Sequence, residues 1–512
     1  MKQLTFYFFL IYVLVLLIWA FLLPEYKFSP YGKDLVFILG AVGLWRYSWF
    51  ISNSVRAYIY QKKFRKIRKL EQKGGEDLSP ENVFLLITTF RIGTDVSIEV
   101  YRAAIKEAIN CGYNVTIIAS IVEMSEERII RKIFLTLKPP SRINLKIVRI
   151  KGSGKRDALA VGFRSVANSC DINLNKSVVA VIDGDSILEK DLIQKCARLF
   201  GLNPSLGGLT TDEDAILASN DFAHKIYRRW YKLRFAQRNI TMSSLSLSNK
   251  VLTLTGRMSM IRANVVASHG FIDSVQNDHI VDPVMGTFRF LTGDDKSSWY
   301  DLAKEGWDMI YVPDVMVQTY EEIPDKNYLK GSVTLMTRWF GNQYRTNKRG
   351  VKLSHRRLNL YPLYALWDQR LTMWTTPYGF FIALFGAINW GIDIFFGYLW
   401  FVMLTRLLMT FAYFLSRKEI MASWPFFLYY NQLVGSFVKI YIWNHLYKQK
   451  WTRQKTKLSF ENRFIEWYRD TIGNGQMIMK LLIFIITVLF LTENISFEEC
   501  YDFINFTTRK TL

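Results

Sequence analysis

Ser177-Val178-Val179-Ala180-Val181-Ile182-Asp183-Gly184-Asp185-Ser186 decides how the rest of the chain is read. Its apolar, mostly β-branched run reads as a buried strand. It stops abruptly at two carboxylates on either side of a glycine. In open α/β sheets the carboxyl ends of central strands are where ligands bind. Two carboxylates in one tight turn suit a hard divalent cation, which in turn holds a phosphate. The plainer reading is a surface turn in which Ser186 caps a helix, and an Asp-x-Asp standing alone fits that reading better. The surroundings change the balance.

Working outward, short apolar runs alternate with helical patterns. Strands are expected at Val83–Thr89, Asn114–Ser120, Asn144–Ile150 and Gly207–Thr211. Helices are expected at Val96–Asn110, Ser125–Leu135, Arg156–Asn168 and Lys190–Phe200. This alternation implies right-handed βαβ units and a mostly parallel sheet. The expected architecture is an α/β cytoplasmic domain over residues 56–330, joined to an α-helical transmembrane region and interfacial amphipathic helices.

The 512 residues are 50% hydrophobic and 15% aromatic, yet carry a formal net charge of +22. That combination suits a membrane protein with basic cytoplasmic faces. Residues 1–55 are expected to form two membrane helices, Leu4–Leu23 and Asp34–Ile51. The first is long, ends in no small-x-small site, and is read as an uncleaved span rather than a signal peptide. The basic run Arg56–Lys73 after the second places the following domain, and the amino terminus, in the cytoplasm. Residues 331–370 are assigned to interfacial helices, although 331–348 fits a packing helix of the soluble domain equally well. Residues 371–447 hold the spans Leu371–Trp390 and Ile394–Phe414 and a polar aromatic segment, Trp424–Tyr447, read as re-entrant, interfacial or a hairpin. A cytoplasmic loop at 448–475 and a last span with its tail at 476–512 complete the chain. The four cysteines form no CxxC pair and are expected reduced. The five scattered histidines offer no zinc spacing, and no nucleic-acid partner is expected.

Four further stretches have ordinary readings one at a time. Gly152-Ser153-Gly154-Lys155-Arg156-Asp157 follows a strand and opens a helix, as a phosphate-holding turn or as a plain basic one. Thr255-Gly256-Arg257 is a glycine turn, and Gly293-Asp294-Asp295-Lys296 is a helix start with an acidic first turn. Lys450-Trp451-Thr452-Arg453-Gln454 fits a membrane-surface anchor.

Taken together and in this order, they resemble the processive membrane glycosyltransferases of family 2, such as cellulose and hyaluronan synthases. The longer strings Leu291-Thr292-Gly293-Asp294-Asp295-Lys296-Ser297-Ser298-Trp299 and Arg338-Trp339-Phe340-Gly341-Asn342 resemble the alginate-polymerising branch (mannuronan synthases) of that family. Leu335 departs from the family's Gln-x-x-Arg-Trp, where a glutamine should stand. The resemblance implies a GT-A domain, a GDP-mannuronate donor, Mg²⁺ or Mn²⁺, a growing β-1,4-linked polymannuronate chain and location in the bacterial inner membrane. It also implies a cyclic di-GMP-sensing co-polymerase subunit and export machinery. By the same resemblance Asp295, beside Asp294, is the general base, and Asp183 and Asp185 hold the metal. Thr88, Arg91, Lys155, Arg156, Asp157, Arg338, Trp451 and Arg453 then serve the nucleotide donor. Trp339, Thr255, Gly256 and Arg257 serve the acceptor.

A uronate polymer leaving the cytoplasm moves down the electrical gradient, by roughly 2.3 kcal/mol per charge per 100 mV. Arg46, Arg406 and Lys439 inside spans, with Arg370 near one, are candidates to line its channel; snorkelling or pairing with an acid is the alternative for each. A non-processive transferase that adds one sugar to a lipid remains open at this level, and so do two further rival functions. One is another processive synthase using a UDP-sugar. The other is a transporter whose α/β domain only binds a nucleotide, a reading that lacks a Gly-x-x-x-x-Gly-Lys loop and leaves Asp295 idle.

Overall fold

The computed structural model describes residues 2–23, 33–152, 154–451, 456–457 and 463–496. The chain divides into two compact units, one of residues 1–52, 368–445 and 460–512, the other of 53–367 and 446–459. Helices α1 (Lys2–Leu22) and α2 (Lys33–Lys73) lead into β1 (Asn82–Thr88), α3 (Thr94–Asn110), β2 (Asn114–Ile121) and α4 (Met124–Leu137). Next come β3 (Ile143–Arg149), α5 (Lys155–Ala167), β4 (Val178–Asp183), β5 (Ser186–Leu188), α6 (Leu192–Leu202), β6 (Leu206–Ile216) and α7 (Phe222–Ser246). Then follow β7 (Met258–Arg262), α8 (Ala263–Val266), α9 (His269–Gln276), the hairpin β8 (His279–Asp282) and β9 (Gly286–Arg289), α10 (Asp294–Glu305) and β10 (Asp308–Tyr320). The remainder is α11 (Tyr328–Gly350), α12 (His355–Leu358), α13 (Leu360–Trp390), α14 (Asp393–Arg417), α15 (Trp424–Asn444), β11 (Lys450–Trp451), β12 (Thr456–Lys457) and α16 (Arg463–Leu491).

In the larger unit eight strands form one sheet in the order β3-β2-β1-β4-β7-β6-β10-β5. β1 to β4 pair in parallel, as do β6 and β10, whereas β7 and β5 run antiparallel to their neighbours. The expected α/β class is the one found. Strand alternation explains the two layers. Val83, Leu85 and Ile87 of β1 join one core with Tyr101, Ala104 and Ile105 of α3. Phe84 and Leu86 face the other, with Leu159 and Phe163 of α5. The basic second half of α2 is not simply a solvated face: Tyr60 and Phe64 enter the first core. Tyr60 donates to the Tyr311 carbonyl at 2.6 Å, and Arg68 pairs with Asp314 at 2.9 Å.

The strand expected at Gly207–Thr211 runs on to Ile216. Asp212-Glu213-Asp214 reads as loop by polarity, but these residues pair with Met316–Gln318 of β10. β7 is inserted antiparallel between β4 and β6, where a glycine turn alone is legible in the sequence. The segment 331–348 becomes α11, whose Leu335, Met336 and Tyr344 are buried, the packing-helix alternative.

Among the described residues, four helices are long and apolar enough to cross a membrane: Thr5–Leu22, α13, α14 and α16. The expected span Asp34–Ile51 lies within the 41-residue α2, continuous with its basic run. Trp424–Tyr447 is not a hairpin. Its residues Trp424–Asn444 form one unbroken helix of 21 residues, α15, in which Ser436 donates back to the Gln432 carbonyl at 2.6 Å. The last helix starts at Arg463, inside the stretch 448–475 assigned to the cytoplasmic loop.

Candidate active site

At the carboxyl edge of the sheet Thr88 of β1 lies beside Asp183 of β4 in register. The Gly184 N–H donates to the Thr88 carbonyl at 3.0 Å. A Cβ on Gly184 would stand 2.6 Å from that oxygen and 3.1 Å from Thr89 Cα, so a side chain there would force the two strand ends apart. This contact aims Asp183 and Asp185 together at the edge. Ser186 caps no helix; it opens β5, and its hydroxyl lies 3.1 Å from that of Thr319. The surface-turn reading of Asp-x-Asp is thereby replaced.

Lys155, the first residue of α5, joins this edge to the turn that starts α10. Its Nζ lies 2.6 Å from Asp183 Oδ1 and 2.8 Å from Asp294 Oδ2. The turn carrying Thr255 and Gly256 closes over the pair: a Cβ on Gly256 would lie 3.0 Å from Lys155 Nζ and 3.1 Å from Asp183 Oδ2. Burial opposes the Lys155 charge, but Asp183 and Asp294 outweigh it and push the ammonium well above its ordinary range. Burial would likewise raise Asp294, yet Lys155 and then Arg156 hold it below the usual carboxylate value. Asp183 moves the other way, raised by burial and by Asp185 and Asp294 against the pull of Lys155. The Lys155 ammonium thus lies between two carboxylates, and Asp185 adds its negative charge at Asp183, an excess of acid that suits a further cation. Among the described residues no three His, Cys, Asp or Glu side chains converge as a complete ligand set.

Asp295 sits in the same first turn of α10, with the Thr253 hydroxyl donating to its Oδ2 at 3.4 Å. Burial raises its proton affinity, and Asp294 adds to this while Lys296 opposes it. Such a carboxylate is a stronger base than an exposed one.

Two residues expected at the nucleotide are committed elsewhere. Arg156 is buried and donates to the carbonyls of Val275 at 2.6 Å and Thr292 at 3.1 Å and to Ser297 Oγ at 3.0 Å. It braces the Asp294-Asp295 turn from behind. Asp157 accepts from Gln276 Nε2 at 2.7 Å and pins α5 to α9. Arg257, expected at the acceptor, is held by Glu321 at 2.6 Å and by Glu213, which also takes Arg238 at 3.1 Å. Thr255 bonds the Thr210 hydroxyl at 2.9 Å.

Trp339 stacks on Trp230 with ring centres 5.5 Å apart, and the Arg234 guanidinium lies 4.2 Å from its ring. Arg338 beside it is half-buried and partnered. Arg91 follows β1 in a left-handed conformation, φ 52°, its guanidinium 5.0 Å from the Phe90 ring. Trp451 belongs to β11, while Thr452, Arg453 and Gln454 lie outside the described residues.

Sequence reasoning missed two contributors. Gln449 bridges the backbone before the base, accepting from Leu291 N–H at 2.9 Å and donating to the Arg289 carbonyl at 2.8 Å. Arg345 donates to Thr292 Oγ1 at 3.3 Å and to the Leu446 carbonyl at 3.0 Å. Gln449 stands directly before the Lys450–Gln454 string, which was the available signal; Arg345 reads as one more helix-end cation.

The four candidate channel cations are all engaged. Arg46 pairs with Asp368 at 2.5 Å, and Arg406 donates to Gln432 at 2.8 Å and Tyr47 at 3.0 Å. Arg370 lies 5.2 Å from the Trp443 ring, and Lys439 is partnered as well. A fifth, Lys480, escaped the sequence reading and donates to Asn444 at 2.6 Å.

Three comparisons complete the description. The family model described as glycosyltransferase like family 2 matches residues 80–342. A protein named glycosyltransferase alg8 from Pseudomonas syringae pv. tomato is 42% identical over 473 residues, 90% of this chain and 94% of its own. A second of that name, from Azotobacter vinelandii, is 42% identical over 486 residues, 94% of this chain and 96% of its own. Among solved structures, a mannosyltransferase from Pyrobaculum calidifontis in complex with GDP-mannose and Mn²⁺ matches with a TM-score of 0.40 and 13% identity, covering 76% of this chain and 98% of that one.

Proposed function

We propose, for a chain that belongs to glycosyltransferase family 2 and is therefore a glycosyltransferase, that it polymerises mannuronate from GDP-mannuronate into β-1,4-linked polymannuronate. The name alg8 shared by the two relatives agrees with an alginate-making enzyme. The observation that carries the mechanism is the Asp183–Lys155–Asp294 bridge. It sets a donor end and a base end in one site, as a single inverting displacement at the anomeric carbon requires.

Asp295 takes the proton from the acceptor hydroxyl as the new bond forms, and its raised proton affinity suits that task. Asp183 and Asp185 would hold a divalent cation, Mg²⁺ or Mn²⁺, together with diphosphate oxygens, which complete a shell that two carboxylates leave open. When bound, that ion supplies charge neutralisation on the departing diphosphate. Lys155 keeps the two carboxylate-bearing turns in register. Arg338 and Arg453 add positive charge at the diphosphate, bidentate contact being what a planar guanidinium offers. Arg91 and Thr88 border the nucleotide at the end of β1, and Trp339, already stacked on Trp230, offers a platform to the acceptor. The enzyme works in the bacterial inner membrane with its catalytic unit in the cytoplasm, the product leaves through the helical unit, and a cyclic di-GMP-sensing co-polymerase assists.

The test is polymer formation in membranes carrying the full chain, supplied with GDP-mannuronate and Mg²⁺, beside Asp295→Asn. A uronate polymer made by the parent and lost in the variant, roughly 10²–10⁴-fold in rate, supports the assignment. Equal product from both removes Asp295 as base. Polymer from UDP-sugars but not from GDP-mannuronate selects the UDP-sugar synthase instead.

A further inference from the structure

The larger unit pairs most of the cations around its site. Lys155 has Asp183 and Asp294, Arg238 has Glu213, and Arg257 has Glu213 and Glu321. Lys296, one residue from the base, stands apart. The acids that favour its charge are its neighbour Asp295, the base itself, and then Glu213. It is half-buried in the first turn of α10, where burial works against the charge, Asp295 supports it and Arg238 adds repulsion. Glu213, the nearby acid on β6, is already claimed by two arginines. A half-buried ammonium whose leading counter-charge is the base that must take up a proton is costly and is relieved by an arriving anion.

The chemistry of the acceptor supplies that anion at the right place. In a 1,4-linked uronate chain the accepting 4-hydroxyl and the carbon bearing the carboxylate are on adjacent ring atoms. A base that reaches the hydroxyl therefore has the carboxylate as an immediate neighbour of its own surroundings. We propose that Lys296 recognises the carboxylate of the terminal sugar acid while Asp295 takes the proton of its 4-hydroxyl, making Lys296 a specificity-determining residue for an anionic acceptor. The inference rests on the mannuronate reading above and assigns the acid-reading contact within it. A neutral acceptor brings the ammonium no new counter-charge, so discrimination comes from this residue rather than from the shape of the pocket alone.

The experiment uses the full chain in membranes with GDP-mannuronate as donor. Initial rates are compared for defined oligomannuronate acceptors and for neutral β-1,4-mannan oligosaccharides of equal length, in the parent, Lys296→Met and Lys296→Arg. Loss of a charged hydrogen bond predicts a roughly ten- to hundredfold rise in oligomannuronate KM for Lys296→Met. The uronate-to-neutral preference should fall by a similar factor, and Lys296→Arg should recover most of both. The dissociation constant for GDP-mannuronate, measured separately, should stay within about twofold. An unchanged preference in Lys296→Met overturns the inference while leaving the mannuronate reading standing. Equal weakening of donor and acceptor, without rescue by arginine, also overturns it, since that is the signature of a disturbed α10 turn. A parent that rejects GDP-mannuronate but polymerises a neutral sugar overturns both.

Discussion

Glu213→Gln tests whether the buried ion network beside the base is a structural necessity. The Glu213 side chain is only 1% exposed and serves two guanidinium groups, Arg257 and, at 3.1 Å, Arg238. At an effective dielectric near 20, one unit charge pair at that separation gains about 5 kcal/mol. Desolvation of the three ions, several kcal/mol each, offsets much of the two attractions. What remains decisive is the asymmetry of removal. Glutamine leaves two arginines facing each other with Glu321 alone between them, a loss of about 3–5 kcal/mol. For a unit of this size that lowers Tm by roughly 4–7 °C, read by thermal unfolding of the full chain in detergent. The pH dependence supplies the check. Burial would raise Glu213, but Arg238 and Arg257 hold it below the ordinary glutamate value. Its contribution is therefore present above the unfolded-state pKa and lost as pH falls through the lower folded one. The gap between parent and variant should be full at pH 7 and shrink in acid below the ordinary glutamate range. A Tm change under about 2 °C at pH 7, or a gap unaffected by acid, would refute the network as a source of stability.

Gly184→Ala should cost about 1–3 kcal/mol by overpacking against Thr88 and Thr89 and reduce activity more than stability, since the shift moves Asp183 and Asp185; Tm and kcat measured together separate the two effects. The acid limb of kcat/KM should break above the ordinary aspartate value, because Asp295 must be ionised to act and burial raises it; a pH–rate profile in which Asp295→Asn keeps the same limb contradicts this. Gln449→Ala removes two bonds to the Arg289–Leu291 backbone, and at about 1 kcal/mol each it should lower kcat several-fold through a looser base-bearing turn, with donor affinity measured by GDP titration little changed.

Much of this protein is legible in its residues. The β-branched run ending in Asp183-Gly184-Asp185 announces a strand with acids at its carboxyl end because strand periodicity and turn chemistry are local properties. The alternating helices around it announce the βαβ order for the same reason, and the long apolar runs announce the helices able to span a membrane. Other features depend on partners distant in sequence. Asp212-Glu213-Asp214 is a polar stretch that belongs to a central strand only because Arg238, Arg257 and Lys232 neutralise it from other elements. Arg156 and Arg257 sit in site-like strings, yet buried carbonyls and carboxylates claim their guanidinium groups. Lys155 shows the reverse: one lysine in a basic turn becomes the tie between two acidic turns 111 residues apart, Asp183 and Asp294. Charge can be counted along a chain, but which charges are paired is settled by burial and approach, since in a low-dielectric interior each must find its opposite within a few ångströms.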